Sequence, residues 1–178
     1  MSTRQIKRFN VDFSREQFVA PFGFKGAYLS EMWQSSVSVV AENGKTATGY
    51  GAQSVLWSDP EVFTRNPESA GNAMMLMTTS EAARIAVGAE WKTPLELQEK
   101  ILGKVHSRAG ELTGRRKNLR LTFTLNSMVA LDNAAWLLMS KELGISSFDE
   151  MIPLNFRNVF SSRQEKVALI PLISYGVI

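Results

Sequence analysis

The places where this 178-residue sequence could do chemistry are its acids, one histidine, one basic cluster and two apolar loops. Asp132 and Asn133 stand inside the longest apolar run, LNSMVALDNAAWLLMSKELG (125–144). A carboxylate is rarely buried unless something pairs with it. The pair is therefore either a locally hydrogen-bonded structural feature or part of a site. Asp59 with Glu61, and Asp149 with Glu150, sit where helices begin, and capping explains them. His106 is the only histidine and there is no cysteine, so disulfides and thiolate metal sites are excluded and a histidine-based metal centre nearly so. His106 falls near a helix end and reads as a surface residue. The basic cluster GRRKNLR (114–120) has Arg115, Arg116, Lys117 and Arg120 but no interleaved aromatic residue. It reads as a solvated linker and not as a nucleic-acid site.

The two apolar loops are the more informative places. VAPFGFKG (19–26) sets Phe22 and Phe24 beside Gly23, Lys25 and Gly26, and SVLWS (54–58) carries Leu56 and Trp57. Rings on glycine-containing loops either join a core or close down on a ligand. No phosphate loop, dinucleotide fingerprint, metal-ligand pair at helical spacing or nucleophile–base–acid set accompanies them.

The elements that must position these loops follow from hydropathy patterning. Residues 5–13 alternate as a half-buried strand, with Phe9, Val11 and Phe13 on one side. Residues 14–26 read as a loop. Residues 32–41 and 46–53 form a hairpin around Asn43-Gly44, the preferred type I′ pair. Gly49 and Gly51 in its second strand mark a bulge or a close backbone approach. Helix starts are signalled at Asp59-Pro60-Glu61, Asn66-Pro67-Glu68 and the capping box Thr93-Pro94-Leu95-Glu96. Met74, Met75 and Met77 read as core packing. The 125–144 run, apolar almost all round, is a helix buried on more than one side, with Asn126 or Ser127 as its cap and Gly144 at its end. Ser147 caps a short turn, and VALIPLI (167–173) looks like a strand buried on both faces.

Composition is that of an ordinary globular chain: 44% hydrophobic, 21% charged, net charge +3 from 20 basic and 17 acidic residues. That charge does not single out nucleic acid. The start, MSTRQIKRFN, has no apolar signal core, and the apolar helix is interrupted by charges. A cytoplasmic protein with no membrane partner is expected.

The order of parts resembles the amino-terminal half of the enolase superfamily, in its mandelate racemase and muconate-lactonizing enzyme branch. ENGKTATGYG (42–51) is similar to the family's hairpin turn and Gly-aromatic-Gly strand, and TPLELQEKIL (93–102) to the helix that follows in the cap. LNSMVALDNAAWLLMSKELGI (125–145) is similar to its buried helix, and VALIPLISYGV (167–177) to the first strand of its catalytic barrel. The resemblance implies an α+β fold: an antiparallel three-stranded meander and a helical bundle, over residues 1–150. Residues 151–178 would then be a linker and the first strand of an incomplete (β/α)8 barrel.

In that family the cap closes two loops over the barrel mouth, and magnesium-assisted proton abstraction beside a carboxylate takes place in the barrel. The products are those of an isomerase or lyase: racemisation, epimerisation, dehydration or cycloisomerisation. The matching lid stretches are residues 21–28 and 53–58, which makes Phe22, Phe24, Lys25, Leu56 and Trp57 the candidate substrate-side residues. Asp132 becomes a structural residue of the cap helix. The family's acid/base residues and magnesium ligands lie on later strands, and no position here matches them. No catalytic residue, metal ligand or cofactor is thus expected in this chain, with Mg2+ reserved for a complete, untruncated member. The implied partners are the missing barrel or another copy of the chain, and a small carboxylate in the complete enzyme. A homo-oligomer is compatible with this. The competing reading is a standalone, non-catalytic interaction module derived from such a cap. The cap reading also expects an apolar patch around 167–173 and on the outer side of the long helix.

Overall fold

The computed structural model describes residues 3–24, 26–159 and 166–169. The fold is α+β, an antiparallel sheet followed by helices. It divides into two units, Met1–Ile145 and Ser146–Ile178.

The first unit opens with three long strands. Strand β1 spans Arg4–Phe24, β2 spans Ala27–Ala41 and β3 spans Thr46–Gln53, in the sheet order β3-β2-β1-β4. The meander is as expected, but the stretch read as a loop after Phe13 is strand. Residues 14–24 continue β1 and pair with β2 as far as Phe24 opposite Ala27. Polar residues such as Ser14, Arg15, Glu16 and Gln17 hide the alternation from a hydropathy reading, because this part of the hairpin is not backed on both sides by core. The fourth strand, β4, is short: Glu90–Trp91 pairs with Arg4 and Gln5.

The β2–β3 turn departs slightly from the Asn-Gly geometry expected. The Gly44 N–H donates to the Ala41 carbonyl at 2.9 Å, which makes Glu42 and Asn43 the central residues. Gly44 follows them with φ of 83°, the left-handed residue of a three-residue hairpin connection.

The helices pack on one face of this sheet. Helix α1 is Val55–Ser58, α2 Pro60–Arg65, α3 Glu68–Ala86, α4 Pro94–Leu112 and α5 Leu121–Leu143. Asp59 caps α2 through 3.0 and 3.1 Å bonds from the Glu61 and Val62 N–H groups, and Thr93 caps α4 by accepting from Glu96. Helix α5 begins ahead of the expected start, at Leu121, because Arg120 and not Asn126 is its N-cap; Gly144 ends it at φ 67°.

Helix α5 touches β2, β3, α1, α3 and α4, which is why its sequence is apolar on so many sides. Its closest approach is to β3. A Cβ at Gly49 would lie 2.2 Å from the Ala130 carbonyl oxygen and 2.3 Å from the Ala134 nitrogen, so only glycine fits. The expected close backbone approach is thus met against a helix. The main core gathers Ile6, Val37, Val39, Trp91, Leu97, Ile101, Val105, Leu131 and Leu138, all buried.

The outer stripe of α5 is of mixed character. It reads Thr122, Asn126, Val129, Asn133, Leu137 and Lys141, a mixed stripe in which Leu137 is 40% exposed. Asn133 donates to the Tyr50 carbonyl at 2.8 Å and Lys141 to that of Thr46 at 2.9 Å. These polar residues hydrogen-bond the edge of β3, while Leu121, Leu137 and Leu143 stay exposed along the helix.

The second unit contains α6, Phe148–Met151, and a 3-10 turn, Leu154–Phe156. Ser147 caps α6, accepting from the Glu150 N–H at 3.4 Å. Val167 and Leu169 are exposed and not in a strand; residues 170–173 of the expected barrel strand lie outside the described residues.

Candidate functional site

The hairpin end and α1, the two stretches singled out as loops, rest on one apolar cluster separate from the main core. Its buried members include Val55, Leu56, Val62, Phe63, Met75 and Phe123, and Phe22, Ala27 and Leu29 pack against it from the hairpin. Residues far apart in sequence are thereby joined at one end of the unit.

The hairpin reaches this cluster through a break in its register. Gln17 pairs with Glu31 and Phe22 with Leu29, so residues 18–21 bulge out opposite Ser30 alone. Val19 in the bulge is fully exposed. Past Trp33, β2 has no β3 beside it, because β3 ends at Gln53. The Glu68 carboxylate of α3 replaces the missing partner. It accepts from the Ser30 N–H at 2.8 Å, from the Glu31 N–H at 3.1 Å and from the Ser30 hydroxyl.

A polar cluster stiffens the same part of the hairpin. Glu31 is 4% exposed and accepts from Arg15 Nε at 2.8 Å, Gln17 Nε2 at 2.9 Å and Trp33 Nε1 at 2.8 Å. Burial pushes its carboxyl up, but the Trp33 and Arg15 donors together outweigh burial and hold it below the usual carboxylate range. The Arg15 guanidinium lies 5.3 Å from the Trp33 ring centre, and Phe13 stacks on the same indole at 4.8 Å.

Helix α1 is a single turn, too short to persist alone. Helix α5 clamps it. Asn126 Oδ1 accepts from the Ser54 N–H at 2.9 Å and the Ser58 hydroxyl at 3.2 Å, and Thr122 Oγ1 donates to the Ser58 carbonyl at 2.6 Å. Asp59, fully buried, accepts from the Arg120 N–H at 2.9 Å as well as capping α2. The expected loop at 54–58 is therefore an anchored helical turn.

The candidate side chains divide by burial. Leu56 is 1% exposed and faces the cluster, Phe22 is half-buried against it, and Trp57 is 59% exposed. Phe24 is the last residue of β1, opposite Ala27. Lys25 lies outside the described residues. Tyr28 was not singled out within its stretch, yet it is 70% exposed, with its ring against Gly23: a Cβ there would lie 3.2 Å from Tyr28 Cε1. The cross-strand pair of a glycine and an aromatic residue was the available signal.

The other candidates serve structure. His106 is half-buried, not a surface residue, because its Nδ1 meets Thr124 Oγ1 at 2.8 Å between α4 and α5. Arg115 of the basic cluster donates to Glu61 at 2.5 Å, and that bond holds the Glu61 carboxyl below its ordinary value. Asp132 lies half-buried between α4 and α5, beside Gln98, Ile101 and Leu131; burial raises its pKa against an opposing hydrogen bond from Trp136. Among the described residues no group of three histidine, cysteine or acidic side chains is placed to hold a metal ion. The described residues therefore do not fit a magnesium site. Among the described residues no helix is long and apolar enough to cross a membrane.

No family model and no curated protein matches the chain. Solved structures do. A dipeptide epimerase from Enterococcus faecalis V583, complexed with Mg and the dipeptide L-Leu-L-Tyr, is 18% identical over 78% of this chain and 32% of its own, with a TM-score of 0.46. L-talarate/galactarate dehydratase from Salmonella typhimurium LT2 is 11% identical over 80% of this chain and 32% of its own, with a TM-score of 0.47. A mandelate racemase/muconate lactonizing enzyme-like protein from Rubrobacter xylanophilus is 18% identical over 79% of this chain and 31% of its own, at 0.41. The chain spans about a third of the length of the structures it matches. Structures of the mandelate racemase/muconate lactonizing type are among those the chain is similar to.

Proposed function

We propose that residues 1–150 are the substrate-capping part of an enolase-superfamily enzyme of the mandelate racemase/muconate-lactonizing branch. Residues 151–178 are then the linker and first strand of its barrel. The complete enzyme would use Mg2+ and barrel residues to remove a proton beside a carboxylate, as an isomerase or a lyase. This chain's part is to close over the substrate and exclude water, which strengthens the electrostatics of the site beneath. Phe22 and Leu56 act as anchors of the lid; Trp57, Tyr28, Phe24 and Lys25 are the side chains offered to the substrate, with Lys25 suited to an acid group.

The observation that supports this reading is the shared apolar cluster. Phe22, Ala27 and Leu29 of the hairpin and Val55 and Leu56 of α1 come from different elements, yet share this cluster and not the main core. A lid of two segments needs such a common footing.

The test begins with the DNA that follows the codon for Ile178. An open frame is expected, with a Lys-x-Lys strand and later strands ending in acids. The polypeptide read from that frame should exchange the proton beside the carboxylate of mandelate, glucarate or a dipeptide for deuterium in D2O, dependent on Mg2+. Trp57→Ala and Tyr28→Ala should raise KM about tenfold, with a smaller change in kcat. A continuous frame whose product exchanges no such proton, or lid variants with unaltered KM, would refute the proposal.

A further inference from the structure

The turn between β2 and β3 holds the only Asn-Gly pair in the sequence, Asn43-Gly44. Besides favouring a tight turn, this pair has a chemistry of its own. The backbone nitrogen of the glycine can give up its proton and bond to the asparagine Cγ, while the side-chain nitrogen leaves as ammonia. Solvent water then opens the cyclic imide at either carbonyl, which yields aspartate or isoaspartate. Glycine favours ring closure because no Cβ obstructs it. Both residues are exposed, so water reaches them.

The folded chain holds the two reacting groups apart from this course. The Gly44 N–H donates to the Ala41 carbonyl at 2.9 Å. The Asn43 carboxamide is pinned at both ends: Oδ1 accepts the Lys45 N–H at 3.0 Å, and Nδ2 donates to Glu142 Oε1 at 2.7 Å. The first two bonds are local to the turn. The third crosses to the last turn of α5. Glu142 is itself fixed, because its Oε2 lies 2.7 Å from Arg4 Nε, and the side chains of Arg4 and Glu142 are 1% and 10% exposed. An exposed, reactive amide is thus held by a carboxylate that a buried guanidinium keeps in place.

We propose that Asn43 is a deamidation site locked by Glu142: docking of the hairpin tip on α5 suppresses the reaction, and the reaction, once complete, leaves a repulsive contact where the lock stood. An aspartate at position 43 still accepts from Lys45 but has no proton for Glu142. Two carboxylates then meet where Asn43 Nδ2 and Glu142 Oε1 stand now, and like charges in contact oppose each other. The neighbouring cations are engaged: Arg4 with Glu142 Oε2, and Lys45 Nζ with the Lys141 carbonyl at 3.0 Å. Isoaspartate goes further, since it adds a carbon to the main chain inside the turn that the Gly44–Ala41 bond closes. The Lys45 tie and the bond from Lys141 Nζ to the Thr46 carbonyl at 2.9 Å remain, so the opening is local.

Glu142→Gln isolates the lock. A carboxamide has one side-chain oxygen, and Arg4 claims it; the amide nitrogen then faces Asn43 Nδ2, donor against donor. Arg4 keeps an acceptor, so the fold is retained. The chain is incubated in mildly alkaline buffer, and conversion at each asparagine is followed by peptide mass spectrometry and isoaspartate methyltransferase labelling. Asn43 should convert much more slowly in the folded chain than in urea, and Glu142→Gln should speed the folded-state reaction about tenfold, as expected for a lost hydrogen bond to a charged group. Asn126-Ser127, inside α5, is the internal control, because only global unfolding frees it. The product is tested separately. Asn43→Asp should raise hydrogen exchange at 42–46 and 140–143, and Asn43→Asp with Glu142→Gln should reverse the rise, since the new amide donates to the new carboxylate. Conversion of Asn43 as fast folded as in urea, no response to Glu142→Gln, acceleration only in step with Asn126, or unaltered exchange in the Asn43→Asp variant would overturn the proposal.

Discussion

The main core and the cluster beneath the hairpin end are built differently. In the main core, helix α5 lies against β3 so closely that Gly49 has no room for a side chain, and polar contacts such as those from Asn133 and Lys141 to the β3 carbonyls lie around a large apolar interface. Beneath the hairpin end, the apolar cluster is smaller and polar side chains set the geometry around it. Glu68 holds β2, Asn126 and Thr122 hold α1, and Asp59 holds the start of α5. Shape complementarity gives a body with one arrangement. A region tied by individual hydrogen bonds, each worth about 1 kcal/mol net, can shift by exchanging a few of them. The difference suits a rigid platform carrying an adjustable lid.

The largest expected effect breaks the body. Gly49→Ala puts a methyl 2.2 Å from a backbone oxygen of α5, and backbone has nowhere to move without parting helix from sheet. Loss of about 4 kcal/mol or more is expected, at the severe end for a single substitution, read as a collapse of the urea midpoint or failure to fold. Phe123→Ala attacks the footing of the proposed lid instead. Its fully buried ring sits in the second cluster. A loss of about 3–5 kcal/mol is expected from ring deletion and the cavity it leaves, with hydrogen exchange rising first at 22–29 and 55–58. Equal loss of protection in β3 would erase the distinction between the two regions.

The smallest effects are pH-dependent, and their signs are opposite in the two regions. Glu31 in the hairpin has a lowered pKa, so its contribution is present above the unfolded carboxylate pKa and lost as pH falls through the folded value. Asp132 in the body has a raised pKa. Its folded form binds the proton more tightly than the unfolded chain does, so stability falls as pH rises from the unfolded pKa through the raised one. Glu31→Gln should therefore flatten the acid limb of the stability–pH curve, and Asp132→Asn should stabilise the chain near neutrality. Denaturant midpoints measured across acid and neutral pH would show whether both slopes have these signs.

Much of the body was legible in the sequence. Asn43-Gly44, the Thr93 capping box, Gly144 and the two β3 glycines each carry a local physical requirement that a short stretch displays. The proposed lid region was harder to read. Its hairpin end is strand without hydrophobic alternation, because the exposed Arg15 and Gln17 converge on the buried Glu31 in a polar cluster that only cross-strand pairing assembles. Leu56 and Trp57 are neighbours in sequence but opposite in exposure, which depends on the clamp from Asn126, far along the chain. The outer stripe of α5 looked apolar because a helix embedded on several sides has little amphipathic signal to mark its free face.

In the proposed function the hairpin end and α1 form a lid on a rigid cap. Hydrogen–deuterium exchange on the complete magnesium-loaded polypeptide, with and without the carboxylate it turns over, tests this most directly. Ligand should protect residues 18–29 and 54–58 and leave 36–41 and 46–51 unchanged. Protection of the central sheet alone, or of neither segment, would contradict it.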